Sequence, residues 1–199
     1  MIVVAASLGG PVLVGRVLAR LPEDFPASVL VVQHRAPVSE DRLTTVLRAR
    51  ASLPVHAARS GRPLTTAGIT VLPARHTATV DPAGALRLRP SSDFRVADPL
   101  ISSVAEYCGR RTLCVVLTGR LDDAAAGVRT LKRYGGRTIV QDPAAAQAPG
   151  MPLAALATGC VDLVMPVPHI APALITLTMA PGAADLFRVP PSPWADLAA

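Results

Sequence analysis

The chain has almost no lysine. Of its 20 basic residues only Lys132 is not arginine, and they outnumber 14 acidic residues for a net charge of +6. Aromatic residues are 3% of the 199 positions. No cluster therefore combines basic and aromatic side chains to hold a nucleic acid, and nucleic-acid binding is not expected. Three cysteines, Cys108, Cys114 and Cys160, are odd in number, widely spaced and set in apolar segments. That pattern argues against a disulfide frame or a metal site and predicts reduced core thiols in a cytoplasmic protein. No apolar run reaches the roughly 20 residues of a membrane span. No basic leader with an apolar stretch and cleavage site opens the chain. Neither membrane insertion nor secretion is expected.

Half of the residues are hydrophobic, and 199 residues suffice for one domain with a full core. The abundant Ala, Pro and Arg read as a compositional bias. A basic surface is compatible with an acidic partner.

The segment Ile2–Gly15 organises the rest. Ile2, Val3, Val4 and Ala5 form a buried-strand run. It breaks into a small-residue turn, Ala6-Ser7-Leu8-Gly9-Gly10, and Pro11 opens an apolar helix over Val12–Leu21. Such a loop presents one reactive side chain, Ser7, and several free backbone N–H groups.

Further along, Ser28–Val32 reads as a second strand ending at Gln33-His34, followed by a helix over Ser39–Ala51 and short strands over Val55–Ala58 and Ile69–Leu72. Thr77–Val80 and Ala85–Leu88, joined by Asp81-Pro82-Ala83-Gly84, read as a hairpin. Asp98-Pro99 opens a helix that ends near Gly109, with Asp98 at its cap. Thr112–Leu117 is a continuous apolar run of the kind a doubly covered parallel strand needs. A helix over Asp123–Tyr134, a strand over Thr138–Gln141, a helix over Met151–Ala157, a strand over Val161–Met165 and a helix over Ile170–Met179 complete the domain. Residues 180–199 read as a loose Pro/Ala-rich tail, with Trp194 its one anchor for docking. The alternation predicts an α/β, doubly wound, mainly parallel sheet with a small β-hairpin, spanning 1–179.

In that order the first strand is central, with the second strand on one side and the strand opening the second half on the other. Ser7, His34 and Asp122/Asp123 then fall at the carboxyl ends of three neighbouring strands. A serine hydroxyl becomes nucleophilic when an imidazole takes its proton, and a carboxylate fixes the imidazole tautomer. Each residue also has a plainer role. Ser7 can satisfy backbone groups in its turn, His34 can be a bonded strand-end histidine, and either aspartate can cap the following helix. A nucleotide-binding module is the competing functional reading, because a glycine turn before a helix also cradles phosphate. Against it, the loop lacks the G-x-G-x-x-G pattern, and Gln33-His34 stands where a ribose-binding acid belongs.

Ser7-Leu8-Gly9-Gly10-Pro11, Val31-Val32-Gln33-His34, Leu72-Pro73-Ala74 with His76, Leu117-Thr118-Gly119 before Asp122-Asp123, and Gly150-Met151-Pro152 occur in one order and spacing. From about Ile2 to Leu177 the chain resembles the CheB-type protein-glutamate methylesterases of bacterial chemotaxis. The resemblance implies hydrolysis of γ-glutamyl methyl esters on the cytoplasmic helices of methyl-accepting chemoreceptors, with release of methanol, and deamidation of receptor glutamines in some members. It implies Ser7 as nucleophile, His34 as general base and acid, and Asp123 as the catalytic aspartate, with Asp122 left as the helix cap. Leu8, Gly9, Gly119, Arg120, Leu121 and Met151 would line the cleft or bind the oxyanion through their backbone. No cofactor and no metal are implied.

The chain departs from that pattern in places. Leu8 stands where the family has Thr. In the segment that the family writes T-G-M-G-x-D-G, Arg120 replaces Met, and Leu121 and Ala124 replace glycines. If either glycine position needs φ > 0, the replacement costs roughly 1–2 kcal/mol. A catalytically impaired or re-targeted scaffold that binds a receptor or partner is therefore the second reading. The family's N-terminal receiver domain is not encoded here, so constitutive activity or control by a separate regulatory protein is expected.

Overall fold

The computed structural model describes residues 1–35, 42–65, 67–180, 182 and 189–197. Seven parallel strands form the central sheet in the order β3-β4-β2-β1-β7-β8-β9. They are β1 (Ile2–Ala6), β2 (Val29–Gln33), β3 (Val55–Ala57), β4 (Ile69–Val71), β7 (Leu113–Val116), β8 (Arg137–Gln141) and β9 (Leu163–Met165). Between β4 and β7 in the chain, β5 (His76–Val80) and β6 (Leu86–Pro90) form an antiparallel hairpin. The helices are α1 (Gly10–Leu18), α2 (Arg42–Arg48), α3 (Ala97–Cys108), α4 (Ala125–Arg133), α5 (Gly150–Ala157) and α6 (Val167–Met179). The first three residues of the helix expected over Ser39–Ala51 lie outside the described residues.

The strand period of two sorts β1 between two cores. Ile2, Val4 and Ala6 join Val14, Leu18, Leu47 and Leu174 of α1, α2 and α6 on one face. Val3 and Ala5 join Leu100, Val104, Leu131 and Ala155 of α3, α4 and α5 on the other. Covered on both sides, every residue of β1 is buried, which is why its sequence runs apolar without alternation. The hairpin closes the second face through Ala78 and Leu86.

β1 lies between β2 and β7, with Ala6 opposite Gln33 and Ala5 opposite Val116. Continuing the register one residue sets Ser7 beside His34. The Ser7 N–H donates to Thr118 O at 2.9 Å on the other flank. The strand ends thus deliver the three loops to one edge.

Two expectations are corrected. The tail is not loose over 189–197. Ser192 N–H donates to Gly159 O at 2.9 Å, and Ala195 and Leu197 pack on the second core. Lys132 Nζ, nearly buried, reaches Asp162 Oδ1 at 2.6 Å and Val189 O. Asp98, expected to cap α3, lies inside its first turn, and Val96 is the cap residue, without a side-chain bond. Of the cysteines, Cys114 and Cys160 are in the core and Cys108 is half-buried. Burial pushes the Cys114 thiol pKa up.

Candidate active site

Ser7 is held by its backbone. Its carbonyl accepts Gly10 N–H at 2.8 Å and Gln33 Nε2 at 2.7 Å, and its N–H is bonded to Thr118 O. The turn closes through Gly9 at φ 79°, where a Cβ would sit 2.4 Å from Gln147 Oε1. The Ser7 hydroxyl makes no hydrogen bond among the described residues, so it is available to a substrate or to a turned imidazole.

His34 follows β2, and its N–H donates to Ala6 O at 2.9 Å. Its Nε2 lies 2.7 Å from Asp123 Oδ2, at ion-pair distance but without hydrogen-bond alignment. With Nε2 facing Asp123, Nδ1 is the remaining ring nitrogen. Asp123 is fully buried. Its Oδ2 accepts the N–H groups of Val96 at 3.0 Å and Ala97 at 2.8 Å. Its Oδ1 accepts those of Asp98 at 3.0 Å and Ala124 at 2.9 Å. The carboxylate thus caps α3 from outside that helix, at its positive end, where a negative charge is favoured. It is four-fold bonded before it meets His34. The structure brings His34 and Asp123 into contact and sets Ser7 on the adjoining strand end without a closed Ser7–His34 hydrogen bond. Such contacts are commonly long in enzymes without substrate.

The CheB methylesterase family model matches residues 2–174. The chain belongs to that family. It is 41% identical over 181 residues to "Protein-glutamate methylesterase/protein-glutamine glutaminase 2" of Anaeromyxobacter dehalogenans, covering 89% of this chain and 53% of that protein. It is 33% identical over 179 residues to "Protein-glutamate methylesterase FrzG" of Myxococcus xanthus, covering 88% and 54%. The chain spans about half the length of the curated relatives it matches. The crystal structure of the Thermotoga maritima CheB methylesterase catalytic domain superposes with a TM-score of 0.80 at 28% identity, covering 88% of this chain and 97% of that one.

The loop that departs from the CheB pattern keeps an unusual backbone. Leu121 has φ 63° and Ala124 has φ 82°, both in the left-handed region where glycine is at ease. The expected strain is therefore present at both replaced positions. Ala124 occupies the cap of α4 with no side-chain bond, so Asp122 is not the cap. Its carboxylate instead takes a two-point grip from Arg95, at 2.6 Å and 3.3 Å, which ties the 93–96 loop to the 119–124 loop. Replacing the exposed Leu121 with glycine is expected to raise stability by about 0.5–1 kcal/mol. The left-handed penalty for a residue other than glycine is about 1–2 kcal/mol, and glycine's larger unfolded-state entropy returns part of it. A urea titration measures this, and a loss of stability would show that the backbone there is not strained.

The remaining cleft residues divide by what their backbone does. Gly119 donates its N–H to Ala148 O at 2.8 Å and accepts from Met151 N–H at 2.9 Å, so its amide is spent. A Cβ on Gly119 would meet Met151 Sδ at 2.1 Å and Ser7 Cβ at 2.8 Å, so the residue is there for close approach. Met151 is fully buried beneath it and does not line the mouth. Leu8, Gly9, Arg120 and Leu121 have no backbone acceptor for their N–H groups among the described residues. Leu8 and Leu121 expose 41% and 60% of their surface, which leaves the mouth partly apolar.

Sequence reasoning missed two features. The first is the set of backbone amides at 96–98 that grips Asp123, which carries no residue-type signal. The second is Gln33, whose signal was a polar residue inside a buried strand. His76 lines a cavity of about 440 Å³ with His34, Arg35, Leu72, Arg75 and Phe94, and its Nδ1 lies 2.8 Å from Ala74 O. Asp98 accepts Gly127 N–H at 2.7 Å, and burial pushes its carboxyl up to about 6. No group of three or more potential metal ligands forms among the described residues.

Proposed function

We propose that this chain is the catalytic unit of a protein-glutamate methylesterase that acts on γ-glutamyl methyl esters of chemoreceptor cytoplasmic helices. The observation that carries this reading is the buried Asp123 held 2.7 Å from His34, with the unbonded Ser7 hydroxyl on the neighbouring strand end, in a chain of the CheB family.

In this mechanism His34 Nδ1 removes the Ser7 proton as Oγ attacks the ester carbonyl. The negative charge that develops on the carbonyl oxygen is taken by backbone N–H groups, with Leu8 and Gly9 on one side and Arg120 on the other. Each such donor is typically worth roughly 2.7–4 kcal/mol in the transition state. His34 then gives its proton to the departing methoxide, releasing methanol and leaving Ser7 acylated. Water, deprotonated by His34, splits the acyl-enzyme to a glutamate carboxylate and free Ser7. Asp123 keeps the imidazole in place and stabilises it when protonated. A glutamine carboxamide would follow the same course with ammonia as leaving group, in keeping with the names of the relatives. No helix among the described residues is long and apolar enough to cross a membrane, in keeping with a cytoplasmic site of action.

The strained Leu121 and Ala124 favour one alternative, a CheB-like scaffold that binds a receptor or partner without turnover. Methanol release from methylated receptor cytoplasmic fragments separates the two. So does covalent labelling of Ser7 by an alkyl fluorophosphonate, read by peptide mass. The esterase releases methanol and takes one label at Ser7. Binding to the fragments with neither turnover nor label would leave the scaffold.

A further inference from the structure

We infer that Gln33 is a positioning residue that fixes the nucleophile and the base relative to each other with one amide group. The inference rests on the assignment of Ser7 and His34 above.

Gln33 is the last residue of β2 and only 4% exposed. Its Nε2 donates to Ser7 O at 2.7 Å and to His34 O at 2.8 Å. An amide nitrogen has two protons, and here both are committed, one to each member of the pair. The amide is planar, so it sets the spacing of the two carbonyls and not merely their nearness. Its orientation follows from the same contacts, because the reversed amide would press Oε1 against two carbonyl oxygens. The group is also confined from behind. A Cβ on Gly10 would lie 2.1 Å from Gln33 Oε1, so the amide rests against the first residue of α1.

The amide's own oxygen gains nothing from this placement. Gln33 Oε1 is buried with no partner among the described residues. An unpaired buried acceptor weakens a fold, and an apolar side chain of the same length would fill the space without that cost. What the apolar side chain cannot supply is the pair of donors. The β1–β2 ladder already aligns the strands up to Ala6 and Gln33. Ser7 and His34 lie just past the strand ends, where only the His34 N–H to Ala6 O bond and this amide join the two segments among the described residues. A shift of about 1 Å between reacting groups is enough to cost on the order of 100-fold in rate.

The test uses Gln33→Met and Gln33→Glu in the full chain, with methanol release and urea unfolding measured together. Gln33→Met removes both donors at nearly constant volume. We expect kcat to fall by about 10–100-fold with KM within about 3-fold, in protein that is fully folded at the assay temperature. Gln33→Glu adds a pH signature. The protonated acid keeps one donor, whereas the carboxylate faces two carbonyl oxygens with none. Its kcat relative to wild type should therefore be highest at low pH and fall as pH rises, whereas that of Gln33→Met should stay flat. A fully folded Gln33→Met with wild-type kcat would overturn the inference. So would a Gln33→Glu ratio that does not change with pH, or activity lost only in proportion to the unfolded fraction. If wild type itself releases no methanol, the methylesterase reading fails separately. Amide hydrogen exchange at Gly10 and His34 then still reads the clamp, because it must speed up in Gln33→Met if the amide holds these segments.

Discussion

Ser7→Ala is expected to lower methanol release by about 10⁶-fold, the loss found when a triad serine is removed, while stability moves by less than about 0.5 kcal/mol. The separation of the two effects follows from how Ser7 is held. Every structural bond it makes is through its backbone, to Thr118, Gly10 and Gln33, and alanine keeps all of them. The Cβ that packs toward Gly119 is also kept. Only the hydroxyl is lost, and that hydroxyl makes no hydrogen bond among the described residues. The residual rate should reflect backbone donors and binding alone. Adding His34→Ala to Ser7→Ala should therefore lower it little further, because residues that act as one unit are not additive. Retained turnover in the well-folded Ser7→Ala protein would show that the nucleophile is another group.

The sheet was legible because its signals are local. The apolar run at Ile2–Ala5, the glycine turn and the helix after it specify a buried parallel strand with a reactive loop, and the strand order follows from the crossover rule. The expected flanks of β1 are the ones observed, β2 and β7. Chain positions 7, 34 and 123 could be set at one edge from that order alone. What stayed hidden is long-range and carried by backbone or by context. Nothing around Asp123 signals that the amides of residues 96–98, some 25 positions earlier, converge on it. A capping aspartate before α4 was the local expectation for Asp122, but Arg95 competes for it from another loop and wins. The tail composition reads as disorder because its anchors, Gly159 and the Lys132–Asp162 pair, belong to other elements. The positive φ of Leu121 and Ala124 could be suspected only through the family's glycines, since neither residue type signals such a backbone.

Asp123→Asn should damage both catalysis and the fold, and the two losses have different causes. In catalysis, asparagine no longer stabilises the protonated imidazole and can present its N–H₂ to His34, which favours the wrong tautomer. The corresponding change in a serine protease triad costs about 10⁴ in kcat. In the fold, each carboxylate oxygen accepts two backbone N–H groups, Val96 and Ala97 on Oδ2, Asp98 and Ala124 on Oδ1. An asparagine has one oxygen, so in either orientation its N–H₂ faces two donors. Two buried amides left without an acceptor cost about 1–3 kcal/mol each, and the lost charge at the α3 N-terminus adds to that. A total loss of about 2–6 kcal/mol is expected in urea unfolding, with amide exchange faster at residues 96–98 than in the sheet. Unchanged stability would refute the capping role, and unchanged turnover would refute the orienting one. The Ser7→Ala, Asp123→Asn double variant separates them further. Its stability should match that of Asp123→Asn, because the hydroxyl carries no structural bond, and its turnover should match that of Ser7→Ala, because an imidazole without a nucleophile has nothing to orient. The carboxylate that meets His34 is thus also the one that fixes the start of α3, so on this reading the position of the imidazole is coupled to the first turn of that helix.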